Sequence, residues 1–239
     1  MRAQRRFDAV VIGAGTAGLV AGTRLAQAGA RVCVVARGIG STHLAAGTID
    51  VLGYVDGQRV DAPQAELAAL VTARPDHPYA LLGIDAIGEA VRWFAGIAAS
   101  RPPTGYDYVG GLERNLALPT AVGSLRPSAL VPVTMAGGDA AGLRQRVAIV
   151  GTRALRDFHP GLCAANLRAA EIDARSVGVE LEFDRADVNA VGLARHFDDA
   201  AWRARFCGAL TPALGAEDHV GLPAVLGLRD PRAALADLE

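Results

Sequence analysis

Residues 7–18, Phe7 to Gly18, read FDAVVIGAGTAG. The apolar run Ala9–Ile12 flows directly into Gly13, Gly15 and Gly18, and an alanine- and leucine-rich helical pattern follows from Thr16 to Ala28. A G-x-G-x-x-G spacing on its own is only a glycine-rich turn. Between a strand and a helix it has a physical meaning. Gly13 permits the turn off the strand, Gly15 lets the backbone approach a phosphate, and Gly18 lets the helix pack closely. The phosphate then lies on the helix N-terminus, where unpaired N–H groups and the helix dipole favour negative charge. Gly29 suits the end of that helix, and Arg31–Val35 reads as a second strand. The three elements form a βαβ nucleotide-binding unit.

Beyond the second strand the sequence departs from the dinucleotide pattern. That strand normally ends on an Asp or Glu that holds the adenosine ribose hydroxyls. Here the stretch is VCVVARG, with Ala36 at that position and Arg37 after it. A hydrogen bond to a charged group contributes ~1.5–3 kcal/mol, so its absence weakens adenosine recognition by roughly one to two decades. A mononucleotide has no need of that partner. Arg37 leaves a second reading open, an NADP-binding reductase that pairs the arginine with the 2′-phosphate.

Residues 38–56, GIGSTHLAAGTIDVLGYVD, read as a loop with a short element at Thr48–Leu52. Ser41, Thr42 and Thr48 offer hydroxyls, and Gly40 and Gly47 permit close backbone approach. Helical patterns follow at Gln64–Thr72 and Asp85–Ser100, separated by a proline-bounded turn, RPDHPY, at Arg74–Tyr79. Tyr106–Leu118 reads as a ribbon turning at Gly110–Gly111, and Pro119–Pro132 as irregular. From Arg146 the pattern becomes strand (Val147–Val150), helix (Arg156–Ala170), strand (Ser176–Leu181), helix (Leu193–Leu210) and an apolar stretch (His219–Leu226). That alternation predicts a second parallel α/β unit. Its first turn, GTRALRDF, lacks the further glycines of a fingerprint. The expected division is therefore 1–145, nucleotide-binding, and 146–239, a second α/β unit.

Composition limits the chemistry. Of 239 residues 51% are hydrophobic and 21% charged, enough apolar content for a packed core. The net charge of −1 gives no electrostatic case for nucleic acid. All 24 basic residues are arginine, so neither a Schiff-base lysine nor a Walker lysine exists and any anion clamp uses guanidinium. Cys33, Cys163 and Cys207 are far apart with no C-x-x-C, which argues against a metal or iron–sulfur site built by this chain alone. No run of apolar residues is long enough for a membrane span.

The fingerprint stretch followed by STHLAAGTIDVLGYVDG, then HPYALL at 77–82, LPTAVGSLRPSAL at 118–130, VAIVGTRALRDFHPGLCAANLR at 147–168 and NAVGLARHFDD at 189–199, resembles the B-subunit family of the anaerobic glycerol-3-phosphate dehydrogenase. The resemblance covers essentially the whole chain, and the order of the later motifs is its specific part. It implies a Rossmann-like flavoprotein fold and a quinone-linked oxidation of sn-glycerol 3-phosphate to dihydroxyacetone phosphate. It also implies two partners, the catalytic flavin subunit and the iron–sulfur membrane-anchor subunit of the same complex. Peripheral attachment to the cytoplasmic face of the inner membrane, through a partner, follows from that assembly. Together with Ala36 the resemblance implies FMN, with FAD as the alternative. The family is longer, and no C-terminal strand with a glycine-rich turn closes a flavin domain before Glu239, so a missing closing segment is expected.

The cofactor-binding candidates are Gly13, Gly15, Gly18, Arg37, Ser41, Thr42, Gly47 and Thr48. A base for a substrate hydroxyl is most naturally histidine, and His43 and His77 are the candidates, each also readable as structural. Arg126 and Arg153 are candidates for a substrate phosphate. A non-catalytic subunit that holds flavin for electron transfer or as a scaffold is the other open reading.

Overall fold

The computed structural model describes residues 6–38, 40–100, 107–183, 188–215 and 218–239, with backbone only at 43, 44 and 218. It comprises two compact units, Met1–Gly47 and Thr48–Glu239.

The first unit is the βαβ of the fingerprint: β1 (Ala9–Ile12), α1 (Thr16–Gln27) and β2 (Val32–Val35). The strands run parallel, with Ala9 opposite Val32 and Ile12 opposite Val35. A parallel pair needs a crossover, and α1 supplies it. The helix lies close on the sheet, since a Cβ on its buried Gly22 would come 3.2 Å from Val34. Asp8 fastens the entry to both strands. Its carboxylate accepts the Arg31 backbone N–H at 2.9 Å and pairs with the guanidinium at 2.8 Å. The Arg31 guanidinium holds the Asp8 carboxyl below its ordinary value. Val10, Ile12 and Val35 stay exposed.

The second unit opens with a hairpin, β3 (Tyr54–Val55) and β4 (Gln58–Arg59). Asp56 and Gly57 turn it, both at positive φ, as the favoured two-residue hairpin turn requires. Three helices follow: α2 (Pro63–Ala73), α3 (Pro78–Leu82) and α4 (Ile84–Ala99). The end of the expected RPDHPY turn is thus the start of α3, with proline at the first helical position and His77 as its cap.

The expected ribbon turning at Gly110–Gly111 is not there, and its first residue, Tyr106, lies outside the described residues. Instead β5 (Tyr108–Gly110), β6 (Leu116–Pro119), β7 (Leu125–Ser128) and β8 (Leu130–Pro132) pair as β5–β8 and β6–β7, both antiparallel. The stretch 119–132, expected to be irregular, supplies two of these strands. Gly110 serves a tertiary contact: a Cβ there would meet the Ala129 carbonyl at 2.2 Å. Gly111 donates its N–H to that same oxygen at 2.8 Å.

Next come β9 (Arg146–Gly151), α5 (Pro160–Ala169), β10 (Ala174–Gly178), α6 (Ala190–Phe197), α7 (Ala200–Leu210), β11 (Asp218–Gly221) and α8 (Pro231–Ala236). The sheet order is β10–β9–β11, all parallel. Its central strand, β9, buries Val147, Ala148, Ile149 and Val150 almost completely. Each large side chain so buried contributes about 1.5–3 kcal/mol. Leu167 and Phe197 from the flanking helices complete this core.

Three expected boundaries shift. The helix expected from Arg156 begins at Pro160, because proline fits its first turn and not its interior. The strand expected at Ser176–Leu181 is Ala174–Gly178. The single helix expected at Leu193–Leu210 is two. Asp199 caps α7 by accepting the Ala201 N–H at 2.9 Å, and Asp198 turns to accept the N–H groups of Leu228 and Arg229.

Candidate functional site

The fingerprint turn lies wholly in the first unit. Gly13 leaves β1 at φ 108°, its N–H donating to the Val35 carbonyl at 2.8 Å. Gly15 caps α1 in extended backbone with no side-chain hydrogen bond. The first-turn N–H groups of the helix therefore have no capping side chain and are available to an anion. A Cβ on Gly13 or on Gly15 would face open space, whereas one on Gly18 would sit 2.1 Å from the Gly13 carbonyl oxygen. The third glycine is thus required by the first: Gly18 folds the turn onto itself.

The loop after β2 closes over this turn. Ser41 and Thr42 belong to a single helical turn, Ser41–Leu44. Thr42 Oγ1 lies 3.0 Å from Thr16 Oγ1, a hydrogen bond between the loop and the first residue of α1. Gly40 packs on the Ala14 peptide, where a Cβ would be 2.3 Å from the carbonyl oxygen. Sequence reasoning missed Thr16 as a site residue. The signal was its hydroxyl at the first helical position, directly after the second glycine.

Open space at Gly13 and Gly15, an uncapped helix start and a threonine pair beside it fit a nucleotide phosphate. Gly13, Gly15, Gly18, Ser41 and Thr42 come together. Arg37 follows β2 and is exposed. Gly47, at φ 92°, ends the first unit, and Thr48 belongs to the second.

Of the histidines, the His43 side chain lies outside the described residues. His77 caps α3: its Nδ1 accepts the Tyr79 N–H at 3.1 Å. Of the arginines, Arg126 pairs with Asp50 at 3.0 Å, while Arg153 is almost fully exposed and only 3.9 Å from Glu180. His196 packs on Trp202, ring centroids 5.4 Å apart.

A cleft of about 400 Å³ opens in the second unit over Ile84, Val91, Leu112 and Leu130. Its rim carries Arg92 with Asp85 and Glu113. Two carboxylates to one guanidinium make it a poor anion site. Among the described residues no three of His, Cys, Asp and Glu gather as metal ligands, and no helix is long and apolar enough to cross a membrane.

Residues 8–239 match the FAD binding domain family. The chain is also similar to the B-subunit of the anaerobic glycerol-3-phosphate dehydrogenase of Yersinia pestis, 32% identical over 235 residues, covering 93% of this chain and 54% of the relative. The proteins of the same name from Pectobacterium carotovorum and Actinobacillus succinogenes are each 31% identical, over 95% and 92% of this chain. The chain thus spans about half the length of these curated relatives. No solved structure matches it. The family's description names FAD, so the expectation of FMN from Ala36 finds no support: a missing carboxylate weakens the grip on adenosine without excluding it.

Proposed function

Because the chain belongs to the FAD binding domain family, we propose that it is a flavin-holding part of a glycerol-3-phosphate dehydrogenase complex. In this reading sn-glycerol 3-phosphate is oxidised to dihydroxyacetone phosphate, and the electrons leave through an iron–sulfur partner to quinone. The observation that carries it is the similarity over 93% of the chain to the B-subunit relatives, joined to a fingerprint turn shaped for a phosphate.

The flavin, when bound, supplies the hydride-accepting chemistry. The chain's own residues hold it. The α1 N-terminus with Gly13, Gly15 and Gly18 faces the phosphate, and Thr16 and Thr42 bring hydroxyls to the same place. We take the flavin to be FAD, following the family. The catalytic flavin subunit and the iron–sulfur membrane-anchor subunit are the partners, and the anchor attaches the complex to the cytoplasmic face of the inner membrane.

Anaerobic addition of glycerol 3-phosphate to the purified flavin-loaded chain tests the reading. Bleaching of the flavin spectrum without other subunits supports catalysis here. A spectrum that bleaches only when the catalytic flavin subunit is present assigns this chain electron transfer or scaffolding. A colourless protein that takes up no flavin but binds NADPH would favour a reductase using Arg37.

A further inference from the structure

Two stretches of the second unit, far apart in sequence, meet at one carboxylate. Ser128 is completely buried, and its Oγ donates to Asp50 Oδ1 at 2.6 Å. The other oxygen, Oδ2, lies 3.0 Å from Nε of Arg126. The backbone fixes the geometry. Ile49 donates to the Leu130 carbonyl at 2.9 Å, and its own carbonyl accepts the N–H groups of Ala129 and Leu130 at 3.0 Å. Asp50 and Ser128 are therefore held in register on either side of a bridge.

Arg126 has a different environment. Its side chain is 57% exposed, and its terminal nitrogens make no hydrogen bond among the described residues. An exposed ion pair adds little to stability. Asp50, itself tied to a buried hydroxyl, fixes the root of the guanidinium and leaves the Nη1 and Nη2 donors unspent. A planar fork with free donors is the group that recognises a phosphate or carboxylate in two-point fashion. Arg153 has no such anchoring, and the cleft at Arg92 has the wrong charge balance.

We propose that Arg126 anchors the phosphate group of a phosphate monoester, with Asp50 and Ser128 as the residues that position it. Identifying that ester with glycerol 3-phosphate rests on the function proposed above.

Calorimetric titration of the full chain with inorganic phosphate, glycerol 3-phosphate and glycerol tests this, in the wild type, Arg126→Gln, Arg126→Lys, Asp50→Asn and, as a control, Arg59→Gln. Thermal midpoints report folding. Phosphate and glycerol 3-phosphate should bind the wild type, and Arg126→Gln should weaken both by about ten-fold or more. Arg126→Lys keeps the charge and the fold but loses the fork, and should weaken them several-fold. Asp50→Asn should weaken both with its midpoint little changed, and Arg59→Gln should bind as wild type. A wild type that binds no phosphate overturns the proposal, as do Arg126 variants that bind as tightly as wild type. Glycerol 3-phosphate held no tighter than inorganic phosphate, with Arg126 still required, supports the anchor and sinks the glycerol 3-phosphate reading.

Discussion

Gly40 rests on the carbonyl of Ala14 so closely that a Cβ would come within 2.3 Å of the oxygen and 2.6 Å of the Gly15 Cα. Both neighbours are backbone of the fingerprint, so neither can rotate aside as a side chain would. Beside this contact the Thr16 and Thr42 hydroxyls meet at 3.0 Å. Gly40→Ala should therefore lift the loop off the turn and part the hydroxyls. Flavin affinity is expected to fall by about ten-fold, a loss of roughly 1.4 kcal/mol, with helix content unchanged by circular dichroism. Titration by flavin fluorescence reads the change; an unaltered affinity would show that the loop has no part in binding.

The end of β2 offers a test of cofactor choice. Ala36 stands where dinucleotide folds place a carboxylate for the ribose hydroxyls. Ala36→Asp should tighten FAD by up to one or two decades, from a charged hydrogen bond of ~1.5–3 kcal/mol, and leave FMN unaffected. Equal tightening of both flavins, or of neither, would mean that residue 36 does not face the adenosine.

The parts of this chain legible in its sequence are those set by local chemistry. The fingerprint reads correctly because turn, close approach and helix start all depend on residues within twelve positions. The central strand β9 reads correctly because a buried parallel strand is a continuous apolar run, here Val147–Val150, whereas β10, ARSVG, carries Arg175 and Ser176 and reads two residues out of place. Tertiary contacts hid the rest. Gly110–Gly111 looks like a hairpin turn, yet Gly110 is there to let β5 approach Ala129. The apolar period runs from Leu193 to Leu210 without a break, so only the capping by Asp199 reveals two helices. Of the candidate residues, the gathering of Gly13, Gly15, Gly18, Ser41 and Thr42 around one turn was legible. Gly40 was legible as a point of close backbone approach, but not what it approaches, since that depends on the Ala14 peptide lying opposite.

Asp198 holds the C-terminal segment. Its Oδ1 accepts N–H groups from Leu228 and Arg229, both at 2.9 Å, in the gap between α6 and α7. Asp198→Ala leaves two backbone donors to partly exposed water and should cost about 1–2 kcal/mol. Asp199→Ala removes the α7 cap and should cost about 1 kcal/mol. Urea unfolding measures both. Limited proteolysis separates them, because only Asp198→Ala should expose residues after Gly227 to early cleavage.

Arg203 continues the same attachment from the inside. It is buried, and its Nε donates to Asp237 at 2.9 Å while Nη1 donates to the Phe197 carbonyl at 2.7 Å. Removing the carboxylate leaves a guanidinium that is desolvated with one partner lost. Asp237 is about half exposed, so water replaces part of what is taken away. Asp237→Ala should cost about 1–3 kcal/mol, below the 3–5 expected for a fully buried pair. Arg203→Met fills the same space without a charge and should cost less than Asp237→Ala. The reverse order in urea midpoints would show that the pair itself, and not the stranded charge, carries the stability.

Tyr79 links the motif after α2 to the one before β3, its hydroxyl donating to the Val51 carbonyl at 2.5 Å. Burial pushes the phenol above its ordinary value of 10.0. A raised phenol pKa favours the protonated form in the fold. Its contribution is therefore complete below the unfolded value and is lost as pH rises through the higher folded value. At neutral pH Tyr79→Phe should cost about 1 kcal/mol, the net worth of one hydrogen bond. The gap between wild type and variant should narrow as pH rises past about 10, where the unfolded phenol ionises and the folded one must follow. The difference between the two proteins isolates Tyr79 from the other tyrosines, which titrate alike in both. Urea midpoints at intervals across the alkaline range measure it. A gap that stays constant would mean that the phenol titrates alike in the folded and unfolded chain, and that burial does not raise its pKa.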